Sequence, residues 1–124
     1  MFKQIIFWFI SCIGFTAHAA SMTEVNQVKV LNEDPSSYFL VDVRTPKEFA
    51  EGHVPNAINI PLSELSTSLE KFSNLENKHI VLYCRSGYRA GKASKMLQQH
   101  GFNNLYHLEG DMLGWVKSGL PIEK

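Results

Sequence analysis

One cysteine, two glycines and two arginines lie close together in residues 83–91, which read YCRSGYRAG. Cys84 directly follows an apolar run that ends at Tyr83, and a helical pattern begins at Ala90. At a turn from strand to helix, the cysteine faces backbone N–H groups that the first helical turn leaves unpaired. Such donors, with arginine nearby, favour the thiolate, which is the nucleophilic form of cysteine. We therefore predict that Cys84 is a catalytic nucleophile.

The residues after Cys84 supply what an anionic substrate needs. The predicted substrate-binding residues are Arg85, Ser86, Gly87, Tyr88 and Arg89. The two arginines carry planar guanidinium groups that match oxyanions, and the serine can donate a further hydrogen bond. Gly87 suits a tight turn in which φ is positive. The alternative is a strand–helix turn with an inert buried cysteine, but this combination of residues behind a buried strand favours catalysis.

The rest of the chain alternates between predicted strands and predicted helices. Strands are predicted over residues 38–43, 57–60, 79–83 and 105–108. Helices are predicted over residues 45–51, where Thr45 and Glu48 form a capping box, over residues 90–100, and as a last helix or turn around Trp115. Two more are predicted from apolar residues at helical spacing, which are Val25, Val28 and Leu31 after a cap at Thr23, and Leu62, Leu65, Leu69 and Phe72 over residues 62–72. This alternation predicts an α/β fold, a small parallel sheet with helices on both faces. Ligands bind at the carboxyl ends of such strands, where Cys84 lies.

Residues 1–19 have the pattern of a secretory signal peptide. Lys3 precedes an apolar run from Ile5 to Phe15, and the triplet Ala17-His18-Ala19 follows. A retained membrane anchor is the alternative, but the run is shorter than the roughly 20 residues that cross a bilayer. We therefore expect export to a bacterial periplasm, with a mature domain over residues 20–124 and no stable membrane association. Cleavage would remove Cys12 and leave Cys84 as the only thiol.

Composition excludes some partners. The 124 residues have a formal net charge of zero, and no basic stripe indicates a nucleic-acid partner. The histidines lack ligand-like spacing, so we predict no metal site and no cofactor. His53 is expected to bond the backbone at a turn, and Trp115 to anchor the last segment.

Three segments resemble the rhodanese family. Residues 84–89 are similar to its active-site loop, C-R-[ST]-G-x-R. The segment from residue 40 to residue 55, with LVDVR at 40–44 and GHVP at 52–55, and the segment 108–110 (LEG) resemble other family signatures in the same order. The resemblance covers nearly all of the mature chain. At one place the chain departs from the pattern, because Asp111 stands where many members have a second glycine.

The resemblance implies a sulfurtransferase. Cys84 would accept a sulfane sulfur as a persulfide, the amides of residues 85–89 would hold that sulfur, and the two arginines would attract the anionic donor. Asp42 and Arg44 would support the loop structurally. The expected partners are thiosulfate or a similar donor, and cyanide, a thiol or a protein as acceptor.

Two other functions remain open on the sequence alone. Cysteine phosphatases and arsenate reductases use a similar loop with C-x5-R spacing, one residue longer than the C-x4-R of Cys84 to Arg89. A binding module without turnover is the third possibility, although this chain keeps the cysteine.

Overall fold

The computed structural model describes residues 22–75 and 77–124. The predicted signal peptide lies outside this part of the chain, so export and cleavage stay predictions. In the described residues, no helix is long and apolar enough to cross a bilayer.

Within the described ranges, five strands form one parallel sheet. They are β1 (Thr23–Val25), β2 (Tyr38–Asp42), β3 (Ile58–Asn59), β4 (His79–Tyr83) and β5 (Leu105–Leu108). Their order across the sheet is β1-β5-β4-β2-β3, and every neighbouring pair is parallel. The α-helices are α1 (Gln27–Asn32), α2 (Pro46–Glu51), α3 (Tyr88–Gln99) and α4 (Asp111–Lys117). The predicted α/β fold with a parallel sheet is confirmed.

Both faces of the central strand β4 are buried. Ile80 and Leu82 pack in one apolar cluster with Leu97 of α3. The alternate residues Val81 and Tyr83 pack in a second cluster, which also contains residues of α4. A strand covered on both faces needs apolar residues at every position, and this explains the continuous apolar run in the sequence.

The prediction of a helix capped by Thr23 is wrong. Thr23 lies in β1, which pairs with β5. The helix that follows begins one residue after Asn26, and the Asn26 side chain caps it by accepting a hydrogen bond from the amide of Val28 at 2.8 Å. Val25 is buried, whereas Val28 and Leu31 are 54% and 37% exposed. Their helical spacing therefore does not mark one buried face.

The predicted helix over residues 62–72 is instead two 3₁₀ helices, Leu62–Thr67 and Leu69–Phe72. They meet at Ser68, whose φ of −119° is not helical. Leu65 and Phe72 are buried in the cluster under α3, as the apolar spacing predicted. Burial was thus predicted correctly, while the type of helix was not.

Two residues that the sequence marked as structural do have structural contacts. The His53 ring nitrogen Nδ1 lies 2.8 Å from the carbonyl oxygen of Phe49, and the two rings stack at 3.6 Å. Trp115 is fully buried and donates from Nε1 to the carbonyl of Pro121 at 2.7 Å. Both side chains hold chain segments in place, in agreement with the prediction.

Candidate active site

Cys84 lies at the carboxyl end of β4, in the turn that leads into α3. Its Sγ accepts hydrogen bonds from the amide of Gly87, at 3.0 Å, and from the amide of Ala90, at 3.4 Å. Gly87 has a φ of +113°, a conformation that residues with a Cβ rarely adopt. The turn therefore directs backbone N–H groups at the sulfur, as the sequence predicted for this segment, with Ala90 as an additional donor.

The residue Cys84 is only 1% exposed. The loop residues around it differ in accessibility: Arg85, Ser86 and Tyr88 are exposed, and Gly87 and Arg89 are partly buried. With so little of its surface exposed, the Cys84 sulfur is closed to a bulky electrophile. The structure thus places all the predicted site residues around one turn, but among the described residues only the amides of Gly87 and Ala90 bond the sulfur.

The guanidinium of Arg89 is paired with Glu48 of α2. Two parallel bonds join them, from Nη1 to Oε1 at 2.6 Å and from Nη2 to Oε2 at 2.9 Å. This hydrogen-bonded pairing lowers the pKa of Glu48 to about 2, despite partial burial that opposes the shift. Glu48 also completes the predicted capping box with Thr45. In this arrangement Arg89 fixes the start of α3 to α2, a role that the sequence alone did not indicate.

Breaking this pair should cost little stability and should do so in a pH-dependent way. Glu48→Gln keeps the capping box, because glutamine serves at that position too, but it removes the charge. With the side chains 26% and 29% exposed, we expect a loss of about 0.5–1 kcal/mol in unfolding free energy at neutral pH. The native pKa of Glu48 lies below its usual 4.5, so the difference from wild type should shrink as the pH falls from 4.5 towards 2.

Urea unfolding of wild type and Glu48→Gln across that pH range tests this expectation. Glu51→Gln, an exposed change on the same helix, is the matched control. A difference between wild type and Glu48→Gln that stays constant down to pH 2 would show that the ion pair is not its source.

A buried ion pair supports the neighbouring end of β2. Asp42 is fully buried, and its carboxylate accepts from the Arg44 side chain at 2.7–3.0 Å and from the Arg44 amide at 2.9 Å. Arg44 also donates to the carbonyl of Gly52 at 2.8 Å. Asn59 donates to the carbonyls of both Asp42 and Arg44 at 2.9 Å. None of these bonds reaches the sulfur of Cys84, so the pair acts as scaffold.

The start of α4 makes hydrogen bonds with both the amide and the carbonyl of Cys84. The Cys84 amide donates to Oδ1 of Asp111 at 3.0 Å, and the Cys84 carbonyl accepts from the amide of Met112 at 3.0 Å. The next carbonyl, that of Arg85, accepts from the amide of Leu113 at 3.1 Å. The position of the nucleophile is thus set by α4 as well as by its own loop.

Asp111 belongs to a chain of charged groups that the sequence did not reveal. Both of its carboxylate oxygens lie 2.9 Å from Nε2 of His107, and Nδ1 of His107 lies 2.7 Å from Glu24 of β1. The only signal in the sequence was the departure from glycine at Asp111. The sequence did not show that Glu24 is a neighbour of His107, because the segment that forms β1 was predicted to be a helix.

Comparison with known proteins agrees with this architecture. The family model described as Rhodanese-like domain matches residues 24–118. A sulfurtransferase of Allochromatium vinosum is 35% identical over 89 residues, which are 72% of this chain and 81% of that protein. A tRNA uridine(34) hydroxylase of Pectobacterium carotovorum is 33% identical over 115 residues; the match covers 86% of this chain but 32% of the relative's length.

Among solved structures, a rhodanese-related protein of Thermoplasma volcanium superposes with a TM-score of 0.70 and 31% identity. The superposition covers 82% of this chain and 97% of that one. Since the family model spans most of the chain and the parallel sheet carries the cysteine loop at its carboxyl edge, this chain belongs to the rhodanese-like domain family.

Proposed function

We propose that the protein is a sulfurtransferase that takes a sulfane sulfur from thiosulfate or a similar donor and carries it as a persulfide on Cys84. The observation that carries the proposal is the pair of amide bonds from Gly87 and Ala90 to the Cys84 sulfur. Donors aimed at this site stabilise negative charge there, first on the thiolate and then on the persulfide that it forms.

In the loading step, the Cys84 thiolate attacks the outer sulfur of thiosulfate. A bond forms between the two sulfur atoms, the bond from that sulfur to the sulfonate group breaks, and sulfite leaves with the electron pair. Arg85 is exposed beside the turn, so we expect it to attract the anionic donor. Burial of Cys84 favours a donor with a slender terminal sulfur, and thiosulfate has one.

In the second step, a nucleophile removes the outer sulfur and restores the thiolate. Cyanide would leave as thiocyanate, and a thiol or a protein cysteine would leave as a persulfide. The outer sulfur of the persulfide is the atom that the acceptor attacks, and Cys84 leaves as the thiolate. Covalent transfer in two half-reactions predicts ping-pong kinetics.

Two alternatives are less well supported. The hydroxylase relative matches this chain over about a third of its own length, so the match supports a shared domain and not the activity of the whole relative. A phosphatase would need the longer C-x5-R loop, whereas this loop has four residues between Cys84 and Arg89. The bonds that this shorter loop makes converge on a single sulfur atom.

Lengthening the loop tests whether its spacing selects the substrate. Insertion of one glycine after Gly87 should move the two amides away from the sulfur and lower thiosulfate-to-cyanide transfer by about a hundredfold or more. The assay measures thiocyanate formation, with hydrolysis of an aryl phosphate followed in parallel. For wild type, double-reciprocal plots of thiocyanate formation at several cyanide concentrations should be parallel, as ping-pong kinetics requires. Wild type should hydrolyse the aryl phosphate negligibly.

The matched control is a glycine inserted after Gly101, in an exposed turn at the far end of α3. That variant should transfer sulfur like wild type. A protein lengthened after Gly87 that transfers sulfur at the wild-type rate would contradict the role of loop spacing. Phosphate hydrolysis by wild type in place of sulfur transfer would contradict the proposed function itself.

A further inference from the structure

His107 lies between two carboxylates. Its Nδ1 is 2.7 Å from Oε1 of Glu24, and its Nε2 is 2.9 Å from both carboxylate oxygens of Asp111. A neutral imidazole has only one N–H, so it can donate to only one of these carboxylates. The doubly protonated ring donates to both. The hydrogen bond to Asp111, with a further one to Glu24, raises the pKa of His107 to about 9 although burial opposes the shift.

The Asp111 carboxylate lies directly beneath the cysteine loop. Oδ1 accepts from the amide of Cys84 at 3.0 Å, and Oδ2 would lie only 3.2 Å from a Cβ at Gly87. Asp111 itself is 2% exposed and has a φ of +54°. A buried carboxylate in a left-handed conformation is costly, and such features concentrate at functional sites.

A negative charge on Asp111 opposes sulfur loading at Cys84. The thiolate, the persulfide and thiosulfate are all anions, and a nearby carboxylate repels them in the weakly screened interior. The imidazolium of His107 offsets the charge of Asp111. When His107 loses its proton, the carboxylate is left without that compensation next to the nucleophile.

Resting on the proposed sulfur transfer, we propose that Asp111 is a positioning residue for Cys84 and that protonated His107 neutralises it, so that deprotonation of His107 slows sulfur loading. The bond from the Cys84 amide to Asp111 couples the two sites. The histidine therefore acts through Asp111 and not on the substrate.

The elements packed around His107 contribute few titratable groups. Strand β1 contributes Glu24, and α4 contributes Asp111. On β4, the residue in register with His107 is the uncharged Leu82. The cysteine loop approaches the ring at Gly87. The titratable and charged groups of that loop are Cys84, whose amide donates to Asp111, the exposed Arg85 and Tyr88, and Arg89, which is paired with Glu48. The His107 proton is thus governed by two carboxylates, of which only Asp111 touches the loop.

Two substitutions separate the charge from the geometry. His107→Gln keeps an N–H that can reach Asp111 but cannot be protonated. Asp111→Asn keeps an acceptor for the Cys84 amide and removes the charge, and asparagine tolerates the left-handed conformation. Persulfide loading from thiosulfate is measured as a function of pH for wild type, both single variants and the double variant.

Wild-type loading should fall on the alkaline side with an inflection near pH 9. His107→Gln should load roughly tenfold more slowly at neutral pH, because one uncompensated charge is a modest interaction inside a protein, and its profile should lack that inflection. Asp111→Asn should also lack the inflection. The double variant should recover most of the activity that His107→Gln lost, since the charge to be neutralised is gone. A purely structural role would give neither the lost inflection nor the recovery.

A second measurement does not depend on sulfur transfer. In a Cys84→Ser background the thiol cannot titrate, and the amide resonance at position 84 reports the hydrogen bond to Asp111. By ¹H–¹⁵N NMR this resonance should shift with an inflection near pH 9, and the added His107→Gln change should abolish the shift.

The outcomes of the two measurements are distinct. The coupling between His107 and Cys84 would be overturned if the pH-dependent shift of the amide resonance at position 84 were unaffected by His107→Gln. It would also be overturned if the pH profile of loading for His107→Gln were identical to that of wild type. Failure of wild type to load sulfur at any pH would overturn the proposed function, and the NMR titration would then decide the coupling alone.

Discussion

Cys84→Ser should abolish thiosulfate-to-cyanide transfer, with a rate reduced roughly a thousandfold or more, because an un-ionised hydroxyl is a poor nucleophile toward sulfur. Serine is close to cysteine in size and can accept the same two amide bonds from Gly87 and Ala90. The fold should therefore persist, with an unfolding free energy within about 1 kcal/mol of wild type. Loss of activity without loss of structure is the expected combination.

Thiocyanate formation and thermal unfolding, measured on the same preparation, test this expectation. No other cysteine lies between residues 13 and 124, so a second thiol cannot substitute for Cys84 within that range. Substantial transfer by a folded Cys84→Ser protein would mean that sulfur is carried elsewhere. An unfolded variant would point instead to a packing role, and Cys84→Ala would then test whether any apolar residue suffices.

Asp42→Asn should destabilise the fold strongly, although the change is conservative in size and shape. The substitution leaves the guanidinium of Arg44, which is 6% exposed, without its counter-charge. Removing one partner of a buried ion pair typically costs about 3–5 kcal/mol. Domains of this size are stable by only about 5–15 kcal/mol, so the loss is a large share of the total.

Urea unfolding at neutral pH measures the effect. Lys29→Gln is the matched control, since it breaks an exposed pair with Glu33 across 3.6 Å and should change stability little. If Asp42→Asn costs no more than Lys29→Gln, the Asp42–Arg44 pair does not support the end of β2 as described.

The sequence was sufficient to predict the parts of the fold that depend on local chemistry. The apolar run of β4 indicated a buried strand, and Thr45 with Glu48 indicated a capped helix. The hydrogen bonding of the cysteine loop could be predicted for the same reason, because its residues are consecutive and its own backbone N–H groups face the sulfur.

Contacts between elements that are far apart in the chain could not be predicted from the sequence alone. Three residues of β1 are too few to show a strand period, and their partner, β5, lies far away in the chain, with Thr23 beside Tyr106. The contacts from Arg89 to Glu48 and from Asp111 to Cys84 likewise join different elements. A residue's type showed that Arg89 is a cation and that Asp111 departs from glycine, but only the folded chain shows which groups they meet.

The most direct test of sulfur transfer at Cys84 is the mass of the intact protein before and after incubation with thiosulfate. Wild type should gain the mass of one sulfur atom, and a reducing thiol or cyanide should remove it. Cys84→Ser, treated in the same way, should gain nothing. A folded wild-type protein whose mass is unchanged by thiosulfate and other sulfane donors, or a Cys84→Ser protein that gains the same sulfur, would contradict a persulfide carried on Cys84.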